Sequence, residues 1–376
     1  MNDGRPHRNC EARIDLDAIR ANYALACRLA PRSRSLAVVK ADAYGHGAAD
    51  VAHALREAVP AFAVGILDEA LQLRDAGITE PVLILEGVNG AASLRCAAEH
   101  GFWLVVHDER QLDDLEATPL AAPVSVWLKI DTGMHRLGLA PELARTALDR
   151  LARMPNCDGA PVACTHLATS DVPGNPAVKR QVDRFDRCVA GIDVPASIAN
   201  SGGVLAFPET HRDWNRPGYM LYGCLPFEHE HPSAQGLRPA MTLVSEIIAI
   251  RDVHAGDSVG YGQRWTASEP ARIATVAIGY ADGYPRHAPD GTPTRVRGRI
   301  APLAGTVSMD LISIDVSDIN GVALGDEVIL WGPDLPVDTV ARAAGTVGYE
   351  LLTSVSMRVP RRYTGAAELT AGRASR

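Results

Sequence analysis

The chain has 376 residues, room for two domains, and its 47% apolar share supports a large core. A net charge of −8 with no Lys/Arg cluster argues against a nucleic-acid partner. Seven scattered cysteines without a Cys-x-x-Cys pair, a polar N-terminus and no bilayer-length apolar stretch point to a cytoplasmic protein that engages no membrane.

Residues 1–11 read as a polar tail or a segment packed on the later β region. Asp17 is placed to cap a helix that carries Ile19, Tyr23, Ala26 and Leu29 at helical spacing. Short apolar runs follow near 36–40, 61–66, 81–86, 102–106, 123–130, 160–166, 194–199 and 212–216, alternating with helix-like segments. One of these, Asp68 to Ala76, is followed by Gly77, suited to end it in the left-handed conformation. Eight strands each followed by a helix predict a TIM-type (β/α)8 barrel over 12–237, with reactive groups gathered at the C-terminal strand ends.

Past Arg238-Pro239 the texture changes to strand-like runs at 241–251, 272–278, 294–300, 303–307, 311–316 and 326–330, with a short helix near 337–344. A mainly β C-terminal domain over 238–363 is expected, then a disordered tail at 364–376. Gly256-Asp257 and Gly325-Asp326 echo one another, and the echo reads as turn chemistry. Glu228-His229-Glu230-His231 has alternating potential ligands but lacks the i, i+4 spacing of a zinc pair. A solvated loop without metal is expected there.

Lys40 closes the run Leu36-Ala37-Val38-Val39. An ammonium at the end of a buried strand is costly to desolvate, which lowers its pKa and leaves a nucleophilic amine suited to a Schiff base with pyridoxal phosphate. A strand-end lysine can also simply snorkel to water. The residues around it decide. Val38-Val39-Lys40-Ala41-Asp42-Ala43-Tyr44-Gly45-His46-Gly47 closely resembles the cofactor-lysine segment of alanine racemases. The resemblance runs from Arg13-Ile14-Asp15-Leu16 to Arg358-Val359-Pro360-Arg361. It includes Lys129 to Gly138, Thr165-His166-Leu167-Ala168, Ala199-Asn200-Ser201-Gly202, Arg216 to Gly223, Val259 to Gly262, Ile278 to Pro285, Val307 to Asp310 and Gly348-Tyr349-Glu350.

The resemblance implies an isomerase that interconverts L- and D-alanine, supplying D-alanine for cell-wall peptidoglycan or degrading it. Racemisation removes an α-proton and returns it from the opposite face, which two bases on opposite sides of the cofactor accomplish. By resemblance these are Lys40 and Tyr261, and a phenol in that role needs positive neighbours to release its proton near neutral pH. Arg216 matches the arginine at the pyridine nitrogen, where a second positive charge disfavours ring protonation. Without the match, an Arg-Pro-Gly turn would read as a surface ion pair. His166 matches a histidine beside the cofactor ring. Tyr44, Asn200, Ser201, Gly218, Tyr219 and Tyr349 complete the cofactor set, most of them at the phosphate.

Arg136 and the Met309 backbone match the groups that hold the substrate carboxylate, and Tyr284 with Asp310 nearby matches the substrate entrance. Lys129 matches a lysine often carbamylated in the family, the alternative being an unmodified lysine salt-bridged to Asp131 or a neighbour. The family also implies a homodimer whose sites draw Lys40 and Tyr261 from different chains. Alternatives are a racemase for serine or another small amino acid, a decarboxylase of the same fold, and a non-catalytic pyridoxal-phosphate carrier. Arg216 and Tyr261 oppose the decarboxylase, and the β domain opposes the carrier.

Overall fold

The computed structural model describes residues 10–365. Two compact units divide them: Ile19–Leu237, and the described residues up to Ala18 together with those from Arg238 onward.

The first unit is a closed parallel barrel. Its sheet contains nine stretches, two of which, Arg34–Ser35 and Ala37–Val38, are halves of one strand interrupted at Leu36, leaving eight strands. One half pairs with Trp214–Asn215 and the other with Phe62–Val64, so the last strand returns to the first. Between them lie Val82–Ile84, Trp103–Val106, Val126–Lys129, Val162–Cys164 and Ala196–Ser197. Each coincides with an apolar run, as expected of strands buried on both faces. Helices follow the strands, among them Leu67–Asp75, Glu109–Ala117 and Pro176–Val189. Trp103, Trp127 and Trp214 pack ring to ring at 5.6–6.4 Å, with the Arg34 guanidinium 3.9 Å from the Trp214 ring centre.

The second unit is built on the long strand Met241–Val253, which pairs with Glu11–Asp15, Glu327–Trp331 and Ala271–Val276. A register shift between Ile247 and Ala249 bends it, letting successive parts of one strand serve different neighbours. Pro293–Val296, Arg299–Pro302, Ile312–Asp315 and Arg361–Thr364 complete the sheet. Asp257 and Asp326 each accept the N–H three residues earlier, from His254 and Ala323, after glycines at φ +92° and +84°. The echoed Gly-Asp pairs are the same turn made twice.

Four expectations are corrected. Residues 12–18 belong to the β unit, not to a barrel starting at 12. Ala12 and Ile14 are fully buried and alternate with Arg13 and Asp15, and this half-buried strand finds its partners at 241–244 and 361–364. The helix Leu16–Leu29 is capped by Asp15, whose Oδ1 accepts the Ala18 N–H at 2.9 Å, and not by Asp17. Residues 303–307 form no strand beyond a bridge from Leu303 to Ile314, because Gly305 at φ +92° turns the chain away. Thr364 ends a strand instead of opening a tail; most of the tail, like most of residues 1–11, lies outside the described residues. The helix Val337–Ala343 forms where expected, but the following Gly348–Ser354 was not anticipated.

Candidate active site

Lys40 stands at the C-terminal end of the first barrel strand, in a recess still open to solvent, with no hydrogen-bond or ion-pair partner among the described residues. The next four residues, Ala41 to Tyr44, all have φ between +51° and +54°. For residues with a Cβ this left-handed turn costs on the order of 1 kcal/mol or more each. The turn is held by its hydrogen bonds. Ala41 N–H donates to Glu69 Oε1 at 2.6 Å, Ala43 N–H to the Val39 carbonyl, Gly47 N–H to the Asp42 carbonyl, and Ala48 N–H to Asp42 Oδ1 at 2.7 Å. The effect is to hold the lysine where a right-handed helix would not.

The recess is rich in cations. Desolvation, then repulsion from Arg136, lowers the Lys40 pKa, against a weaker pull from Glu86 and Glu69. Burial likewise lowers Lys129; Arg216, Arg136 and Lys40 add repulsion, while Cys164 pulls the other way. His166 is pushed well below its ordinary value by burial and by Arg216, Lys129, Arg136 and Lys40, so its ring is neutral at pH 7. Arg216 is buried and donates to Ser197 Oγ and to the carbonyls of Thr165 and Ile198. Among the described residues no carboxylate pairs with it, and its burial overturns the surface-ion-pair alternative.

The loop after the fifth strand carries Arg136, and Asp131 organises it. Asp131 Oδ1 accepts the N–H groups of Gly133, Met134 and His135 at 2.9–3.1 Å, and Oδ2 meets His135 Nδ1 at 3.1 Å. Asp131 is thus committed within its own loop, and no salt bridge from it reaches Lys129. At Gly138 (φ +134°) a Cβ would come within 2.6 Å of the Asp131 nitrogen, so the loop closes only with glycine there.

Tyr44, Ser201, Gly218 and Tyr219 meet in one corner. Ser201 Oγ accepts the N–H groups of Gly218 and Met220 at 3.0 and 3.2 Å. A Cβ on Gly218 would lie 2.6 Å from the Tyr44 hydroxyl, so the tyrosine tip rests against bare backbone. The Tyr44 ring packs 4.8 Å from Tyr222 and 6.5 Å from Tyr219. Asn200 is a helix cap, its Oδ1 accepting from Gly203 N–H and Ser170 Oγ.

The remaining expected residues lie in the β unit. Tyr261 sits in a short turn between Gly260 (φ +75°) and Gly262 (φ +70°), 72% exposed. Met309 and Tyr349 are 53% and 40% exposed. Asp310 accepts from Arg358 Nη2 at 2.7 Å. Tyr284 differs from its expected place at an open entrance: within the single chain it is fully buried, and its hydroxyl has no hydrogen-bond partner among the described residues.

The barrel residues suit pyridoxal phosphate. They offer an unpartnered amine for its aldehyde, a buried arginine for its ring nitrogen, a cation-rich recess for its negative charge, and a corner of bare backbone and phenol for its phosphate. Two residues of this region escaped the sequence reading, Glu69 and Gln181. Glu69 carried a faint signal, an acidic residue in the first turn of its helix; Gln181 carried none. No metal-holding group of His, Cys, Asp and Glu exists among the described residues, and His231 of the 228–231 loop bonds Ser233 Oγ at 2.7 Å.

Comparison with known proteins agrees with this geometry. Residues 14–226 match the family model described as alanine racemase, N-terminal domain, and 240–363 match alanine racemase, C-terminal domain. The chain is 50% identical over 355 residues to an alanine racemase of Chromohalobacter salexigens, covering 94% of this chain and 98% of that one. It is 46% identical to a solved biosynthetic alanine racemase of Pseudomonas aeruginosa, with a TM-score of 0.92 over 95% of this chain and 100% of the other. It is 29% identical to a Bartonella henselae alanine racemase solved with covalently bound pyridoxal phosphate, with a TM-score of 0.87 over 95% and 99%.

Proposed function

The chain belongs to the alanine racemase family, and from that premise we propose that Lys40 and Tyr261 are the two groups that move the α-proton of alanine. It is a pyridoxal-phosphate-dependent isomerase that interconverts L- and D-alanine. The observation that carries the assignment of Lys40 is its placement: an unpartnered amine, depressed in pKa, at the C-terminal end of a barrel strand and facing a cation-rich recess.

When bound, pyridoxal phosphate supplies an electron sink for the charge left as the α-proton departs. The chain supplies the rest. Lys40 would hold the cofactor through Nζ and would carry the proton on one face of the substrate. Tyr261 Oη carries the proton on the other. Arg216, fixed by two carbonyls and a serine hydroxyl, would serve the ring nitrogen as a donor that cannot release its proton and so would keep that nitrogen unprotonated. Neutral His166 lies beside the ring without adding a further charge. Tyr44, Ser201, Gly218 and Tyr219 seat the phosphate with Tyr349, and Asn200 fixes the helix start from which Ser201 projects.

Arg136 and the Met309 N–H hold the substrate carboxylate. Tyr284 and Asp310 border its approach. Lys129, surrounded by Arg216, Arg136 and Lys40 with no carboxylate partner, is suited to carbamylation, which would replace a repelled cation by an anion able to orient Arg136.

The working unit in this reading is a cytoplasmic homodimer. Tyr261, Met309 and Tyr349 are exposed on their own unit, as is the apolar Val347 at 59%, and surfaces of this kind are what a second copy would cover. Reduction with borohydride tests the centre of the proposal. The yellow protein should bleach with the cofactor fixed on Lys40, and an adduct on another lysine would reject it.

A further inference from the structure

We propose that Glu69 is a positioning residue for Lys40, its carboxylate tying the backbone that carries the lysine to the loop after the second barrel strand. This rests on Lys40 being the cofactor lysine. Glu69 Oε1 accepts the Ala41 N–H at 2.6 Å, one residue past Lys40, while Oε2 accepts the Gly65 N–H at 2.7 Å. Both are as short as charge-assisted hydrogen bonds. The reach back to its own helix start is longer, 3.4 Å to the Ile66 N–H, so capping is the lesser part of what this side chain does. Gly65 completes the arrangement. A Cβ there would lie 3.2 Å from Glu69 Oε2 and 3.8 Å from Lys40 Cβ, which puts the carboxylate and the base of the lysine against the same glycine.

The device recurs around the barrel rim. Gln111, on the helix after the fourth strand, accepts the His107 N–H at 2.8 Å and donates to the Val88 carbonyl at 3.3 Å. Gln181, after the sixth strand, accepts the Ala168 N–H at 2.8 Å and donates to the His166 carbonyl and Thr132 Oγ1. Each joins its own strand-end loop to the preceding one. At Lys40 an acid stands in place of the amide, because each loop presents an N–H, Ala41 on one and Gly65 on the other, and a carboxylate offers an oxygen to each. Gln111 joins two loops that carry none of the proposed site residues, which makes it the natural comparator.

The test uses the full-length protein, stripped of cofactor and reloaded with pyridoxal phosphate, in the variants Glu69→Ala, Glu69→Gln and Gln111→Met. Three quantities are read: Tm, the rate at which added cofactor becomes fixable by borohydride on Lys40 (by peptide mass), and the pH midpoint of the bound cofactor's visible band. Glu69→Ala and Gln111→Met should both lower Tm, but only Glu69→Ala should slow fixation, by about tenfold or more. Both Glu69 variants should move the midpoint downward, because the anion near Nζ is gone. Glu69→Gln should recover part of the fixation rate and none of the midpoint, and it carries the test if Glu69→Ala does not fold. A wild-type rate and midpoint in the Glu69 variants, or equal slowing by Gln111→Met, overturns the proposal. If wild-type cofactor is fixed on a lysine other than Lys40, the assignment of Lys40 fails first and takes this inference with it.

Discussion

The barrel and the β unit hold most of their proposed site residues differently. In the barrel, Arg216 and Tyr44 are buried, Ser201 and Asn200 are committed to hydrogen bonds, and Lys40 leads into a backbone turn held from several sides. In the β unit Tyr261 stands 72% exposed on a glycine-flanked turn, with Met309 and Tyr349 also open. A side chain that must act at a fixed point is ordinarily locked by its neighbours. The barrel does this from its own sequence for Arg216, Tyr44, Ser201 and Asn200. The β unit does it for Tyr284 and Asp310 but not for Tyr261, Met309 and Tyr349, which is the physical reason for proposing that those three serve a site shared with a second copy.

The sharpest way to break this comparison is to kill each half separately. Lys40→Ala and Tyr261→Ala should each lower racemisation by at least about 10³-fold. Tyr261→Ala should leave Tm unchanged, since an exposed side chain contributes little packing. Mixed under conditions that exchange subunits, the two dead variants should regain about a quarter of wild-type activity, because roughly half the dimers are mixed and each mixed dimer has one intact site. Exchange without any return of activity would place both residues of a site in one chain.

Arg216 tests the locked half. Arg216→Glu removes the donors to Ser197, Thr165 and Ile198 and aims a carboxylate at two carbonyls. It should also permit ring protonation. Racemisation is expected to fall roughly 10²-fold or more, with transamination per turnover rising, while Arg216→Lys keeps the charge and most of the wild-type partitioning. Product analysis showing unchanged partitioning in Arg216→Glu would mean that Arg216 does not face the ring nitrogen.

A smaller effect is expected at Gly218. Gly218→Ala puts a methyl 2.6 Å from the Tyr44 hydroxyl and 3.4 Å from Val38 Cβ, so the tyrosine must move. Overpacking of this kind costs about 1–3 kcal/mol, which corresponds to roughly fivefold to a hundredfold in cofactor affinity if the corner seats the phosphate. Titration with pyridoxal phosphate checks this. A loss of Tm with unaltered cofactor affinity would make the corner structural only.

How far the sequence could be read follows the same division. The eight barrel strands were legible because strands buried on both faces must be continuous apolar runs. Residues 12–18 were placed in the barrel because nothing local tells a segment at the start of the chain which partners it takes, and those of Glu11–Asp15 lie more than two hundred residues away. The left-handed run Ala41–Tyr44 was invisible: Ala and Tyr have no preference for positive φ, and the turn is imposed by Glu69, Asp42 and their backbone bonds. Lys40, Arg216 and Tyr261 were named from motif resemblance. Residue type alone favours the bland readings, a snorkelling lysine, a surface ion pair and an aromatic in a β-turn. Gln111 and Gln181 escaped because a glutamine on a helix has no signature until the loops it joins are seen together.

The smallest predicted effect sharpens the contrast through pH. Burial and the surrounding cations keep His166 neutral well below its ordinary titration range. In the unfolded chain a histidine takes up its proton near pH ~6.5. Below that value the unfolded state binds a proton that the folded state does not, so folding stability is lost as pH falls, until the folded imidazole protonates as well. For one proton the slope is at most about 1.4 kcal/mol per pH unit. His166→Gln cannot titrate. In the cofactor-free protein, its urea midpoints at pH 7.5, 6.5 and 5.5 should therefore fall less steeply than those of wild type, with parallel behaviour above pH 6.5. His211, also lowered by burial, is present in both proteins and cancels from the difference. Tyr261→Phe, on the exposed half, should reproduce the wild-type slope. Equal slopes for His166→Gln and wild type would mean that the folded recess accepts another positive charge at no cost, contrary to the cation crowding on which the cofactor seat depends.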